Sequence, residues 1–238
     1  MFQKVIFCLL FLFIPLNRAA VNTVANSPFT SSEPVSELAS GEQLFEEMEL
    51  GGTVNFIAFR QAVAGYNRIK EKSKPILTLI DFSKPSTEKR FFVFDMEKKK
   101  LLYSSVVAHG RNSGENYATS FSNQYGSYKS SLGFYLTENT YQGGNGYSLI
   151  LNGLEKGIND KAKARSIVVH GAPYANPSVA ASGRLGRSLG CPALPTKLAR
   201  PIINTIKDGS VMFIYANNPH YLAQSNICLL YTSPSPRD

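Results

Sequence analysis

Two residues of this chain have the types and surroundings for covalent chemistry. Cys191 lies in the run Gly186-Arg187-Ser188-Leu189-Gly190-Cys191-Pro192, and His170, followed by Gly171, stands twenty-one residues upstream. A cysteine nucleophile reacts as its thiolate, so it needs a base or a cation nearby, and donors for the oxyanion that its attack creates. Glycine beside the cysteine lets backbone N–H groups turn inward. His170 ends the apolar run Ser166-Ile167-Val168-Val169, which places its ring at a strand edge. The pair is workable. The plain alternatives are a small buried hydrophobe for Cys191 and a satisfied core or surface histidine for His170.

The compartment sharpens the case for chemistry. Lys4, the apolar run Val5–Leu16 and small residues at Ala19, Ala20 and Ala25 read as a signal peptide over residues 1–25. That run is short for a bilayer span, and no later segment resembles a membrane helix. Cys8 would leave with the signal. At the other end, residues 228–238, Cys228 to Asp238, resemble the in-frame translation of a transposon-library sequencing adapter and are not expected to belong to the fold. Of three cysteines, Cys191 then stands alone, and an unpaired thiol in an oxidising compartment calls for a use. Setting aside the signal, with Lys4 and Arg18, and the tail, with Arg237 and Asp238, lowers the formal net charge from +8 to +6. A mildly basic exported protein suits an anionic envelope polymer. No basic block with interleaved aromatics points to nucleic acid.

The elements that must position this pair follow from periodicity. Residues 26 to about 40 are rich in Ser, Pro, Asn and Ala and read as a linker. From Glu42 to Lys72 the pattern is helical, with Phe59, Val63, Tyr66 and Ile69 on one face, Gly51-Gly52 separating two short helices and Thr53 as a cap. From Pro75 onward, strands are expected at Ile76–Ile80, Phe91–Phe94, Leu101–Val107, Ser148–Leu151, Ser166–Val169 and Val211–Tyr215. One helix over Thr196–Lys207 carries Leu198, Ile202 and Ile206 on one face and ends before Gly209. The domain is therefore expected to be mainly β with a few helices, and not a βαβ sheet.

Other residues carry weaker signals. His109, in His109-Gly110-Arg111-Asn112-Ser113-Gly114, also ends a strand, and either lines the same cleft or serves as a structural hydrogen-bonding group. His109, His170 and Cys191 lack zinc-ligand spacing, and a metal would block the nucleophile, so none is expected. His220 reads as a surface residue. Gly143-Gly144-Asn145-Gly146 reads as a turn and not a phosphate cradle, because no Lys-Ser/Thr follows in the required place.

Taken together, the motifs resemble those of the L,D-transpeptidases, cysteine enzymes that crosslink bacterial peptidoglycan. The resemblance rests on His170-Gly171 followed by Ser188-Leu189-Gly190-Cys191. It extends through Ile80-Asp81-Phe82-Ser83-Lys84-Pro85-Ser86, Val107-Ala108-His109-Gly110, Phe121-Ser122-Asn123, Ser130-Ser131-Leu132-Gly133-Phe134-Tyr135 and Leu185-Gly186-Arg187-Ser188, over residues 75–217. It is closest to the murein L,D-transpeptidase catalytic-domain branch. It implies a β-sandwich or barrel catalytic domain over 73–227, preceded by the linker and helical preface over 26–72.

The resemblance also implies roles. Cys191 is the nucleophile, and His170 its base and later proton donor. The Gly190 and Cys191 N–H groups receive the oxyanion, and Ser188 orients the site or shapes the loop. Ser131, Gly133 and Tyr135 belong to the segment lining the groove opposite the nucleophile. The chain departs from the commonest pattern at Leu189, where a second histidine is usual, and at Pro192, where a longer side chain and an arginine follow. Arg187 is expected to replace that arginine by binding a substrate carboxylate, and His109 to touch substrate.

The implied reaction is attack on the carbonyl between meso-diaminopimelate and the terminal D-Ala of a tetrapeptide stem. A thioester forms, and an amine of a second stem resolves it into a crosslink. No cofactor or metal is called for. The partners are peptidoglycan stem peptides in a periplasmic or otherwise extracytoplasmic setting. Hydrolysis at the same site, an L,D-carboxypeptidase or endopeptidase activity, is the neighbouring reading, and a noncatalytic peptidoglycan-binding protein on the same scaffold is a third.

Overall fold

The structure, a computed structural model, describes residues 33–228. The expected signal peptide, the start of the linker and the tail from residue 229 lie outside the described residues. Two helices lead, α1 (Glu33–Glu47) and α2 (Phe56–Arg68). The strands are β1 (Ile76–Asp81), β2 (Phe91–Asp95), β3 (Lys100–Ser105), β4 (Gly133–Gly143), β5 (Gly146–Gly153), β6 (Val168–Gly171), β7 (Ala193–Leu194) and β8 (Val211–Tyr215). Between β6 and β7 lie a 3₁₀ turn (Pro173–Ala175) and α3 (Pro177–Ala180), and α4 (Thr196–Ile206) and α5 (Pro219–Gln224) flank β8.

All eight strands form one sheet in the order β3-β2-β1-β8-β4-β5-β6-β7. Neighbours are antiparallel except at β1–β8 and β6–β7. Two bridges, Ala108 to Ala193 and Gly110 to Ser188, join the chain after β3 to the far edge, so the sheet nearly closes into a barrel. β1, β2 and β8 are buried along their whole length, as strands covered on both faces must be.

Helix α2 turns Phe59, Ala62, Val63 and Tyr66 to the core. Its closeness to the sheet depends on Gly65, where a Cβ would stand 2.0 Å from the Phe134 ring. Phe134 in turn stacks on Phe213 at 4.2 Å, and Phe59 meets Phe94 edge-on at 5.1 Å. Helix α4 buries Ala199, Ile202, Ile203 and Ile206.

Several sequence expectations shift. The helical preface reaches back to Glu33, into the stretch read as linker. The cap of α2 is Asn55 and not Thr53, because Asn55 Oδ1 accepts from the Ile57 and Ala58 N–H groups. Leu198 is 36% exposed, so the buried face of α4 runs through Ala199 and Ile203 instead. The strand expected at 166–169 is displaced two residues onward, because Ser166 adopts a left-handed turn conformation (φ 56°). The long hairpin strand β4 and the two-residue β7 were not anticipated. Cys228, placed with the tail by sequence, is buried, and its N–H donates to Ser225 Oγ.

Candidate active site

The parallel pairing of β6 with β7 sets His170 opposite Ala193 and Gly171 opposite Leu194. Cys191, two residues before Ala193, therefore lies alongside the start of β6, where the Val168 N–H points at Sγ at 3.5 Å. Cys191 and His170 line one cavity of about 360 Å³, together with Asn145, Arg165, Ser166, Tyr174, Arg187, Ser188 and Leu189. Asn145 reaches it from the β4–β5 turn, the glycine-rich segment noted in the sequence.

The resting state of the pair is uncharged. Burial pushes the Cys191 thiol up, and burial pushes the His170 imidazole down. The thiol donates to Ser166 O at 3.6 Å. His170 Nδ1 lies 3.1 Å from Gly171 O. A carbonyl can only accept, so Nδ1 carries the proton and Nε2 keeps its lone pair. The Gly171 carbonyl is thus the group that orients the histidine, and no side-chain type in the sequence marks it.

The loop that carries Cys191 is cross-tied. Ser188 Oγ donates to Cys191 O at 2.6 Å and accepts the Gly190 N–H at 3.1 Å. Ser188 N–H donates to His109 O, and Arg111 N–H to Ser188 O. Ser130 Oγ donates to Gly190 O and accepts from Gly110 N–H. Gly190 itself has φ 125°, and a Cβ there would stand 2.9 Å from both Ile167 and the Lys129 carbonyl, so only glycine fits without strain. The Gly190 N–H is engaged by Ser188, whereas the Cys191 N–H, like those of Arg187 and Leu189, makes no hydrogen bond among the described residues.

The remaining candidates are placed elsewhere. His109 is fully buried between Arg90 Nη2, 2.8 Å from Nδ1, and Gly114 O, 3.3 Å from Nε2. It does not line the cavity but holds the Cys191 loop through its backbone carbonyl, and burial beside Arg90 holds its imidazole neutral, down to about 4. Arg187 borders the cavity, but its Nη1 is committed to Glu115 Oε1 at 2.8 Å and to Arg111 O and Gly114 O. Ser131, Gly133 and Tyr135 do not line the cavity. Tyr135 is fully buried with its hydroxyl donating to Ser131 O, Gly133 packs on Glu155 and Asn159, and Ser131 Oγ donates to Ser122 O. Ser131 connects to the site indirectly, by accepting from Arg165 Nη1 at 2.6 Å. His220 lines a separate depression with Phe121 and Asn218. Among the described residues no three His, Cys, Asp or Glu side chains gather as metal ligands, and no helix is long and apolar enough to cross a membrane.

Two residues at the cavity escaped the sequence reading. Arg165 sits in the basic stretch Lys161–Arg165, which looks like a solvated charge run, and Tyr174 follows a proline in an unremarked turn. Burial and the neighbouring Cys191 push the Tyr174 phenol up to about 12.

Among known families, a model of the L,D-transpeptidase catalytic domain matches residues 51–215, well over half of the chain. No curated protein matches the sequence. Among solved structures, an L,D-transpeptidase from Mycobacterium smegmatis aligns at 13% identity and a TM-score of 0.37, over 60% of this chain and 59% of that one. L,D-transpeptidase 3 from Mycobacterium tuberculosis aligns at 13% identity and 0.38, over 59% and 61%. An L,D-transpeptidase from Stackebrandtia nassauensis aligns at 14% and 0.36, over 77% and 79%. The matched part spans less than two thirds of the two mycobacterial chains. These structural likenesses are loose, and the assignment rests on the family match.

Proposed function

We propose, from the premise that the chain belongs to the L,D-transpeptidase catalytic-domain family, that it crosslinks peptidoglycan stems through a thioester on Cys191. The observation that supports this most is the shared cavity, lined by both Cys191 and His170, with the His170 Nδ1–H fixed by Gly171 O.

In this reading the S–H turns from Ser166 O to Nε2 of His170, which takes the proton as Sγ attacks the carbonyl between meso-diaminopimelate and D-Ala. The Cys191 N–H receives the oxyanion. When the tetrahedral centre collapses, the C–N bond breaks and the D-Ala amine leaves with the proton from His170. The amine of a second stem then attacks the thioester, gives its proton to Nε2, and the thiol returns. Residues of the chain supply every proton transfer, so the reading calls for no cofactor or metal. The signal-like residues 1–25 support an extracytoplasmic site of action, where the stem peptides are.

The test is incubation of the mature protein with purified tetrapeptide muropeptides, followed by mass spectrometry. Dimers that have lost one D-Ala are the expected product. Tripeptides alone would replace crosslinking by hydrolysis at the same thioester. Unchanged muropeptides, with wild type and Cys191→Ala alike, would leave only a binding role.

A further inference from the structure

We propose that Arg165 is the cation whose field stabilises the Cys191 thiolate, a positioning residue held in a fixed seat beside the nucleophile. The inference rests on the reading of Cys191 as the reacting group.

Two arginines border the cavity, and their charges are handled differently. Arg187 has a carboxylate partner, Glu115, whose other oxygen pairs with Arg184 at 2.9 Å, so one carboxylate is shared between two guanidiniums. Arg165 has no carboxylate partner among the described residues. Its Nη1 donates to Ser122 O at 2.7 Å and Ser131 Oγ at 2.6 Å, and its Nη2 donates to Lys129 O at 2.6 Å and Ser127 Oγ at 3.2 Å. All four acceptors are neutral, so the two terminal nitrogens are solvated by the protein while the group keeps its net charge. The planar fork uses both ends at once, which fixes the group in place and leaves it no terminal nitrogen free to swing toward a substrate.

That fixed charge lines the same cavity as Cys191 and stands beside the residue that precedes it. A Cβ on Gly190, the residue before Cys191, would stand 3.5 Å from Arg165 Nη2. Half-buried, the charge is less screened than it would be on an open surface. Of the other titratable groups facing the thiol, two are uncharged at rest and one is an ion-paired arginine. His170 from β6 is neutral, Tyr174 from the 3₁₀ turn is neutral, and Arg187 shares the Glu115 carboxylate with Arg184. Facing Arg165 from β4, Tyr135 is held neutral by burial, and Lys129 turns its ammonium to Ser120 Oγ. Burial drives the thiol up, and the charge of Arg165 opposes it. The backbone meets both forms of the sulfur: Ser166 O, in its left-handed turn, accepts the S–H of the thiol, and the Val168 N–H points at Sγ and favours the thiolate.

The test is the pH dependence of iodoacetamide alkylation at Cys191, followed by peptide mapping so that Cys228 is counted separately. Replacing Arg165 by Gln is expected to raise the midpoint of reactivity by about one pH unit, roughly a tenfold loss of thiolate near neutral pH. Arg165→Lys, which keeps the charge and loses the fork, is expected to stay nearer wild type. Ser127→Asp leaves Arg165 in place but sets a carboxylate against Nη2, and is expected to shift the midpoint upward as Arg165→Gln does. It decides the matter if Arg165→Gln fails to fold. An unmoved midpoint in Ser127→Asp or in folded Arg165→Gln overturns the proposal, as does Arg165→Lys shifting as far as Arg165→Gln. Because alkylation needs no substrate, the outcome is separate from the crosslinking reading. A wild type with an Arg165-dependent midpoint that leaves muropeptides untouched would sink that reading alone.

Discussion

At Cys191 and His170 the proton has not yet moved: a thiol and a neutral imidazole face one cavity, each kept uncharged by burial. A pair in this state works by general base catalysis, so its pH dependence reports the histidine from the acid side. His170 titrates below its ordinary 6.5, and only its neutral form can accept the thiol proton. Acylation of Cys191 by a carbapenem, followed by loss of β-lactam absorbance, is therefore expected to hold its rate down to pH 6.5 and to fall as pH drops further. His170→Gln should remove that inflection and slow acylation by roughly 10²-fold or more. An inflection above 6.5 in wild type would contradict the neutral resting pair. These two residues were legible because their types are rare in the chain and carry chemistry. The Gly171 carbonyl and Arg165 were not, since a backbone group has no letter and an arginine among lysines looks like surface.

The loop from Arg187 to Pro192 holds its shape through ties that the fold brings from distant places, namely Ser130, His109 and Arg111. Gly190→Ala introduces both a disfavoured φ and two contacts at 2.9 Å, so it should cost about 1–3 kcal/mol and abolish acylation. Ser188→Ala removes two hydrogen bonds inside the loop and should cost about 1–3 kcal/mol while slowing acylation more than it lowers stability. Thermal melts beside acylation rates check both, and a Ser188→Ala protein with wild-type rates would reduce Ser188 to a passive loop residue. At this scale the sequence was readable where periodicity is strong. Ile76–Asp81 and Val211–Tyr215 are unbroken apolar runs and became the buried middle of the sheet. Strand β4 was missed because Thr137-Glu138-Asn139-Thr140 looks like a turn, and there the strand carries an irregular register against β5. Strand β7 has only two residues, too few for any pattern, although it sets the register of the site.

Across the whole molecule, the same ties that shape the site make stability depend on pH. His109 is buried against Arg90, and its imidazole titrates at about 4 in the fold against 6.5 when free. The unfolded chain takes up that proton first, so the stability tied to the neutral imidazole is present above 6.5 and lost as pH falls toward 4, by up to roughly 3 kcal/mol. Glu155, raised by burial, acts in the opposite sense and loses its contribution as pH rises above 4.5. His109→Gln should therefore flatten the fall of the melting temperature between neutral and acid pH, and an unchanged slope would move that dependence to another group. The reaction itself is tested most directly by trapping the covalent intermediate. Wild-type protein mixed with a tetrapeptide stem and quenched in acid should carry the stem, less its D-Ala, as a thioester that peptide mapping places on Cys191, with no adduct in Cys191→Ala. An adduct on any other residue, or D-Ala release that survives Cys191→Ala, would contradict the account.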